Sequence, residues 1–160
     1  MRKILDINTN LSLWLNNISM IAIMAMALLI VINVILRAFP LTLPIMGTYE
    51  YVRLLQMVII GGSIAYCAML GGHVSVDFLV DKLPVKISKF IDTIMGIIST
   101  IFLFIASYYV FQFGYSFKMS GEVTETTGMP FYPFVWFVSF ALLIFAIVEL
   151  KNIVSRGDVK

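Results

Sequence analysis

The chain has 160 residues, 61% hydrophobic and 14% aromatic but only 12% charged, with a formal net charge of +2. Soluble domains carry about a quarter charged residues, so there is no room for a separate soluble catalytic domain, and nothing in this balance suits a nucleic acid partner. Single copies of cysteine (Cys67) and histidine (His73) forbid an intramolecular disulfide and a bis-histidine haem and argue against an all-protein zinc site, so neither cofactor nor metal is expected.

From Leu11 to Leu36 no side chain is charged. As a helix this run exceeds the roughly 30 Å of a bilayer's hydrocarbon core. Met1-Arg2-Lys3 ahead of it looks superficially like a secretion signal, but a signal's apolar core is only about 7–15 residues and ends at a small-residue cleavage site. This run is longer and ends at Asn33 and Arg37, one turn apart, which suit the capping of carbonyls or the binding of a lipid phosphate. It reads as a retained first span.

Pro40, Pro44 and Gly47 then punctuate the chain before a second span, predicted over Thr48–Leu70. Glu50 and Arg53 stand three apart, which puts them on one helical face within ion-pairing reach. A structural clamp near the membrane surface is the simpler reading, because pairing and outward snorkelling both lower the penalty of a charge in a span. A coupling site for an ion or proton is the sharper alternative. The face continues through Met57, Gly61, Ala65 and Ala68, beside Gly62, and small residues at such spacing let helices approach closely in lipid. The spacing fits internal packing and docking onto another membrane protein equally well.

Gly71-Gly72 opens a connection in which His73 and Asp77 stand four apart, best read as capping and orienting the turn. Residues 74–89 mix apolar side chains with Asp77, Asp81, Lys82, Lys86 and Lys89 around Pro84, the pattern of a short amphipathic segment along the membrane interface. A third span is predicted over Phe90–Phe117, with Asp92, Gly96, Ser99, Leu103 and Ser107 forming a small and polar stripe and Asp92 placed to pair with Lys89. A fourth is predicted over Met129–Leu150, opened by the interfacial aromatics Phe131, Tyr132, Phe134 and Trp136. With the N-terminus cytoplasmic, Arg2, Lys3, Lys82, Lys86, Lys89, Lys151, Arg156 and Lys160 lie inside, and only Arg37 and Lys118 lie in outside connections. That asymmetry puts both termini in the cytoplasm. The expected fold is thus a single all-α membrane domain, residues 1–160, of four spans and one interfacial segment.

Arg37, Glu50 with Arg53, Gly61-Gly62, then Gly72-His73-Val74-Ser75-Val76-Asp77 and Leu83-Pro84 together resemble the small membrane subunit, of the DctQ type, of tripartite ATP-independent periplasmic (TRAP) transporters. The likeness runs over nearly the whole chain and is strongest from the second span into the Gly-His-x-x-x-Asp turn. It departs in placing Pro130 and Pro133 close together, and in carrying Tyr49 where an acidic residue is common. The resemblance implies a non-catalytic subunit in a bacterial inner membrane. Its partners would be a large DctM-type membrane subunit, which moves its transport domain as an elevator, and a periplasmic DctP-type substrate-binding protein. The function implied is Na+-driven uptake of an organic acid, in which this chain anchors the static scaffold. Reading the residues alone leaves a self-sufficient small exporter, working as a homo-oligomer, as the alternative.

Overall fold

The computed structural model describes residues 2–38, 45–70 and 85–157. Four helices account for nearly all of them: α1 (Arg2–Ala38), α2 (Thr48–Met69), α3 (Val85–Ser120) and α4 (Tyr132–Gly157). Each contains a stretch long and apolar enough to cross a membrane: Asn10–Ala38, Thr48–Ala68, Thr93–Ser120 and Tyr132–Ile153.

α4 starts at Tyr132, three residues later than Met129, because Pro130 sits opposite Val123 in an isolated antiparallel bridge. The amides of Phe134 and Val135 then bond to the Phe131 carbonyl, and Pro133 falls in the first turn, where its missing N–H is tolerated. The interfacial segment expected at 74–89 lies mostly outside the described residues, as do His73 and Asp77, and from Val85 onward the chain is already α3. The Asp92 side chain is also outside the described set.

Helix neighbours follow a simple order: α1 packs on α2, α2 on α4, and α4 on α3, with only a slight touch between α1 and α4. α4 is the most enclosed, with 39% of an 18-residue apolar window of its span buried against 17% for α1. The buried and half-buried positions explain this order. On α1 they include Ser12, Leu15, Ser19, Ala22, Met26, Leu29 and Asn33; on α3 they include Gly96, Thr100, Leu103, Ser107, Val110 and Gly114. Steps of three and four alternate along both stripes, which is the 3.5-residue repeat that keeps a seam facing its partner in left-handed helix packing.

The glycines set how close the seams come. A Cβ on Gly62 would lie 2.6 Å from the Leu15 carbonyl oxygen of α1 and would also strike the Ser19 hydroxyl. One on Gly61 would instead meet Val138 and Phe137 of α4 at 3.3–3.5 Å. Adjacent positions are turned by about 100° on a helix, so the Gly61-Gly62 pair serves two neighbours at once. On α3, Gly96 takes Ile153 and Gly114 takes Trp136 of α4. The described glycines of both small-residue stripes are therefore spent on packing inside the chain.

Hydroxyls reinforce the seams. Ser107 donates to the Ser139 carbonyl at 2.9 Å and Ser139 returns a bond to the Ser107 carbonyl at 2.8 Å, a reciprocal clasp between α3 and α4. Ser19 reaches both the Leu15 and the Val58 carbonyls, joining α1 to α2. At the far end of α2, the Asn152 amide donates to the Ala68 carbonyl at 3.4 Å. Bonds of this kind cost little to form in hydrocarbon, where the alternative is an unsatisfied hydroxyl.

Candidate functional site

Of the polar residues singled out by sequence, Asn33, Glu50 and Arg53 gather where α2 begins. Gly47 stands before the first turn with φ 76°, a left-handed conformation suited to glycine, and its Cα faces the Thr127 methyl group so closely that a Cβ would collide with it. Thr48 donates its hydroxyl to the Ile45 carbonyl at 2.7 Å. Asn33, 8% exposed near the end of α1, accepts the Ile45 N–H on its side-chain oxygen at 3.2 Å, pinning the chain entering α2 to α1. It thus satisfies an N–H, where carbonyls or a lipid phosphate were the expected partners. Arg37 ends α1 exposed.

The loop between α3 and α4 folds onto the same place. Thr124 bonds through its amide to the Met129 carbonyl and accepts the Met129 N–H on its hydroxyl, both at 2.9 Å, while Gly128 (φ 66°) turns back onto the Thr124 carbonyl. This tight turn aims the amides of Thr126 and Thr127 outward in parallel. Glu50 fills that concavity. Its carboxylate accepts the Thr126 N–H at 2.7 Å, the Thr127 N–H at 2.9 Å and the Thr127 hydroxyl at 2.7 Å. Convergent amides of this kind form a fixed anion cradle, and charge-assisted bonds to them are strong and directional. Glu50 also stands in the first turn of α2, where a negative charge complements the helix dipole.

The expected Glu50–Arg53 ion pair does not form. The loop amides offer the carboxylate three well-directed donors, while the Arg53 guanidinium lies 5.5 Å from the centre of the Phe131 ring in a cation–π contact. A second cation, Lys118, sits 5.4 Å over Trp136. Trp136 stacks on Phe111 at 5.7 Å and meets Tyr132 edge-on at 5.3 Å, and Phe117 touches both Phe113 and Phe131. The aromatic cluster is therefore a packed layer joining α2, α3 and α4 at one end, held by Glu50 below the loop and braced by two cations. Trp14, by contrast, is 70% exposed on α1.

No reacting constellation is built by these residues; what they make is an anchored edge. The chain matches, over residues 26–157, the family described as "Tripartite ATP-independent periplasmic transporters, DctQ component". The chain belongs to this DctQ family. It is accordingly a small membrane component of a TRAP transporter, a multi-pass protein whose four apolar helices are those of the fold above. No curated protein and no solved structure matches the chain.

Two features of this DctQ component escaped the sequence reading. The Thr126–Thr127 cradle is made of backbone amides, and no residue type signals its link to Glu50. Gln56 did carry a signal: an amide within a span, here exposed on α2 with no hydrogen-bond partner among the described residues. Cys67, expected as a small packing residue, is exposed on the same helix.

Proposed function

We propose that this DctQ component is the static bracket of a TRAP transporter that takes up an organic acid with Na+. Its direct partner is a large DctM-type subunit working as an elevator, and the acid is delivered by a periplasmic DctP-type binding protein. Both termini face the cytoplasm in this reading, which puts the Glu50 loop and the aromatic layer at the periplasmic surface of the inner membrane.

The way polar groups are spent supports it. Glu50, Asn33, Ser19, Ser107 and Ser139 all bind the chain to itself, which stiffens the assembly. Long apolar faces, meanwhile, remain open on α1 (Ile21, Met24, Leu28, Val31) and α3 (Ile98, Phe102, Ile105, Tyr109). A rigid body with broad apolar flanks is what a moving transport domain needs as a frame. Helix association in lipid rests on such shape and interhelical bonds, since tails are as apolar as the side chains they touch.

The test is purification of the tagged chain from native membranes in mild detergent. A large polytopic membrane protein should come with it in constant ratio, and it should be needed for carboxylate uptake. Recovery of the chain solely as a solitary species, or as copies of itself, refutes the bracket role.

A further inference from the structure

Among the described side chains of α2, the exposed positions fall on a line: Tyr49, Arg53, Gln56, Ile60 and Cys67, with half-buried Ser63 between them. Their steps of four and three repeat the 3.5-residue period of the internal seams, so the line has the geometry of a further helix seam. It lies apart from the surfaces that Gly62 gives to α1 and Gly61 gives to α4. Its chemistry is wrong for lipid. Gln56 lies about 12 Å along the helix from Thr48, at about 1.5 Å per residue, with its amide exposed and unpartnered among the described residues. Arg53, one turn nearer the helix start, has an aromatic face beneath it and no carboxylate within bonding reach among the described residues. Polar groups at such depth are costly when left unpaired. The Phe131 ring and outward snorkelling ease Arg53 in part, whereas the Gln56 amide has no such relief. A partner supplying complementary groups serves both.

We propose that this stripe is where a transmembrane helix of a different chain docks, presenting a carboxylate level with Arg53 and an amide, hydroxyl or free carbonyl level with Gln56. A second copy of this chain is the poorer occupant, because a two-fold axis along the stripe brings Arg53 against Arg53. A lipid phosphate suits Arg53 but leaves Gln56, a turn deeper, without a partner. The proposal rests on the bracket reading, in which the docking helix belongs to the large subunit. It selects the polar face of α2 over the larger apolar flanks of α1 and α3.

A photo-crosslinking residue placed at Tyr49 or Ile60 leaves Arg53 and Gln56 intact, and Leu28 on α1 and Ile105 on α3 are comparably exposed controls. The full chain is co-expressed with the large subunit and irradiated in membranes. Adducts with the large subunit should form from 49 and 60 several-fold more than from 28 and 105. In parallel, Gln56→Leu should lower recovery of the large subunit several-fold while leaving the unfolding midpoint of the isolated chain unchanged, since Gln56 holds nothing within it. Adducts from 28 or 105 alone overturn the proposal and leave the bracket reading standing. A two-copy adduct, or adducts with lipid alone, from 49 and 60 overturns it as well. If the unmodified chain recovers no large subunit, the bracket reading falls and the proposal with it.

Discussion

Adding one methyl group at each of two adjacent residues should have sharply different effects. In Gly62→Ala the new Cβ lies 2.6 Å from the Leu15 carbonyl oxygen and against the Ser19 hydroxyl, whereas ordinary contact begins near 3.4 Å. The obstacle at Leu15 is helix backbone, so relief requires α1 as a whole to retreat by about 0.8 Å from a distance of 2.6 Å. That retreat stretches the Ser19–Val58 bond, already 3.3 Å, beyond useful length. Overpacking of this kind costs about 1–3 kcal/mol. In Gly61→Ala the first contacts are side-chain atoms of Val138 and Phe137 at 3.3 and 3.5 Å, with the Val138 Cα at 3.4 Å. A shift of a few tenths of an ångström accommodates them, and alanine's better helix propensity offsets it, leaving this variant within about 1 kcal/mol of the parent. Both proteins would be purified in mild detergent and unfolded by titration with dodecyl sulfate, followed by circular dichroism. Gly62→Ala should unfold at a clearly lower dodecyl sulfate mole fraction and Gly61→Ala close to the parent. Equal midpoints for the two variants, or a reversed order, would refute the assignment of Gly62 to the α1 seam and Gly61 to the α4 seam.

In a double-mutant cycle, Ser107→Ala and Ser139→Ala should each lower stability by about 0.5–1.5 kcal/mol, in the range of interhelical bonds in membrane proteins. The losses should nearly add in the double variant, because each hydroxyl bonds the other residue's backbone carbonyl; no loss from either change would mean that the clasp does not form. Glu50→Ala should speed hydrogen exchange at the Thr126 and Thr127 amides, read by mass spectrometry of the 121–131 peptide, with Glu50→Gln intermediate because it keeps one acceptor oxygen. Unchanged protection there would show that the carboxylate is not what holds the loop. Glu50→Ala should also lower recovery of the large subunit more than it lowers the assembled transporter's affinity for its substrate and for the loaded binding protein, because the loop it anchors shapes an edge and touches no substrate. Unchanged recovery with lost transport would instead point to a direct coupling role.

The four helices were legible because long uncharged runs have one stable outcome in lipid, where every backbone group must be satisfied within the segment. Gly61-Gly62, Gly96 and Ser107 were legible as close-approach positions, but not the helix each one meets, since periodicity names a face and not its neighbour. Glu50 was misjudged for a related reason. Local spacing offered Arg53 three residues away, while the true partners are two backbone amides and a hydroxyl 76 and 77 residues further on, and amides are the same in every residue type. The start of α4 falls three residues later than its apolar run suggests, and the bridge of Pro130 to Val123 that delays it shows only in three dimensions. Gln56 is the converse case. Its type and position were in plain view, and what gave it meaning was the exposure of its whole stripe once the other faces of α2 had been used.

Transport measured in sealed proteoliposomes tests the central claim most directly. Three preparations are needed, holding this chain alone, the large subunit alone, and both together, each given a Na+ gradient, the binding protein and a panel of carboxylates. The bracket account predicts Na+-dependent uptake from the pair and none from this chain by itself. Solute movement by the solitary chain, or full uptake by the large subunit without it, would contradict the account.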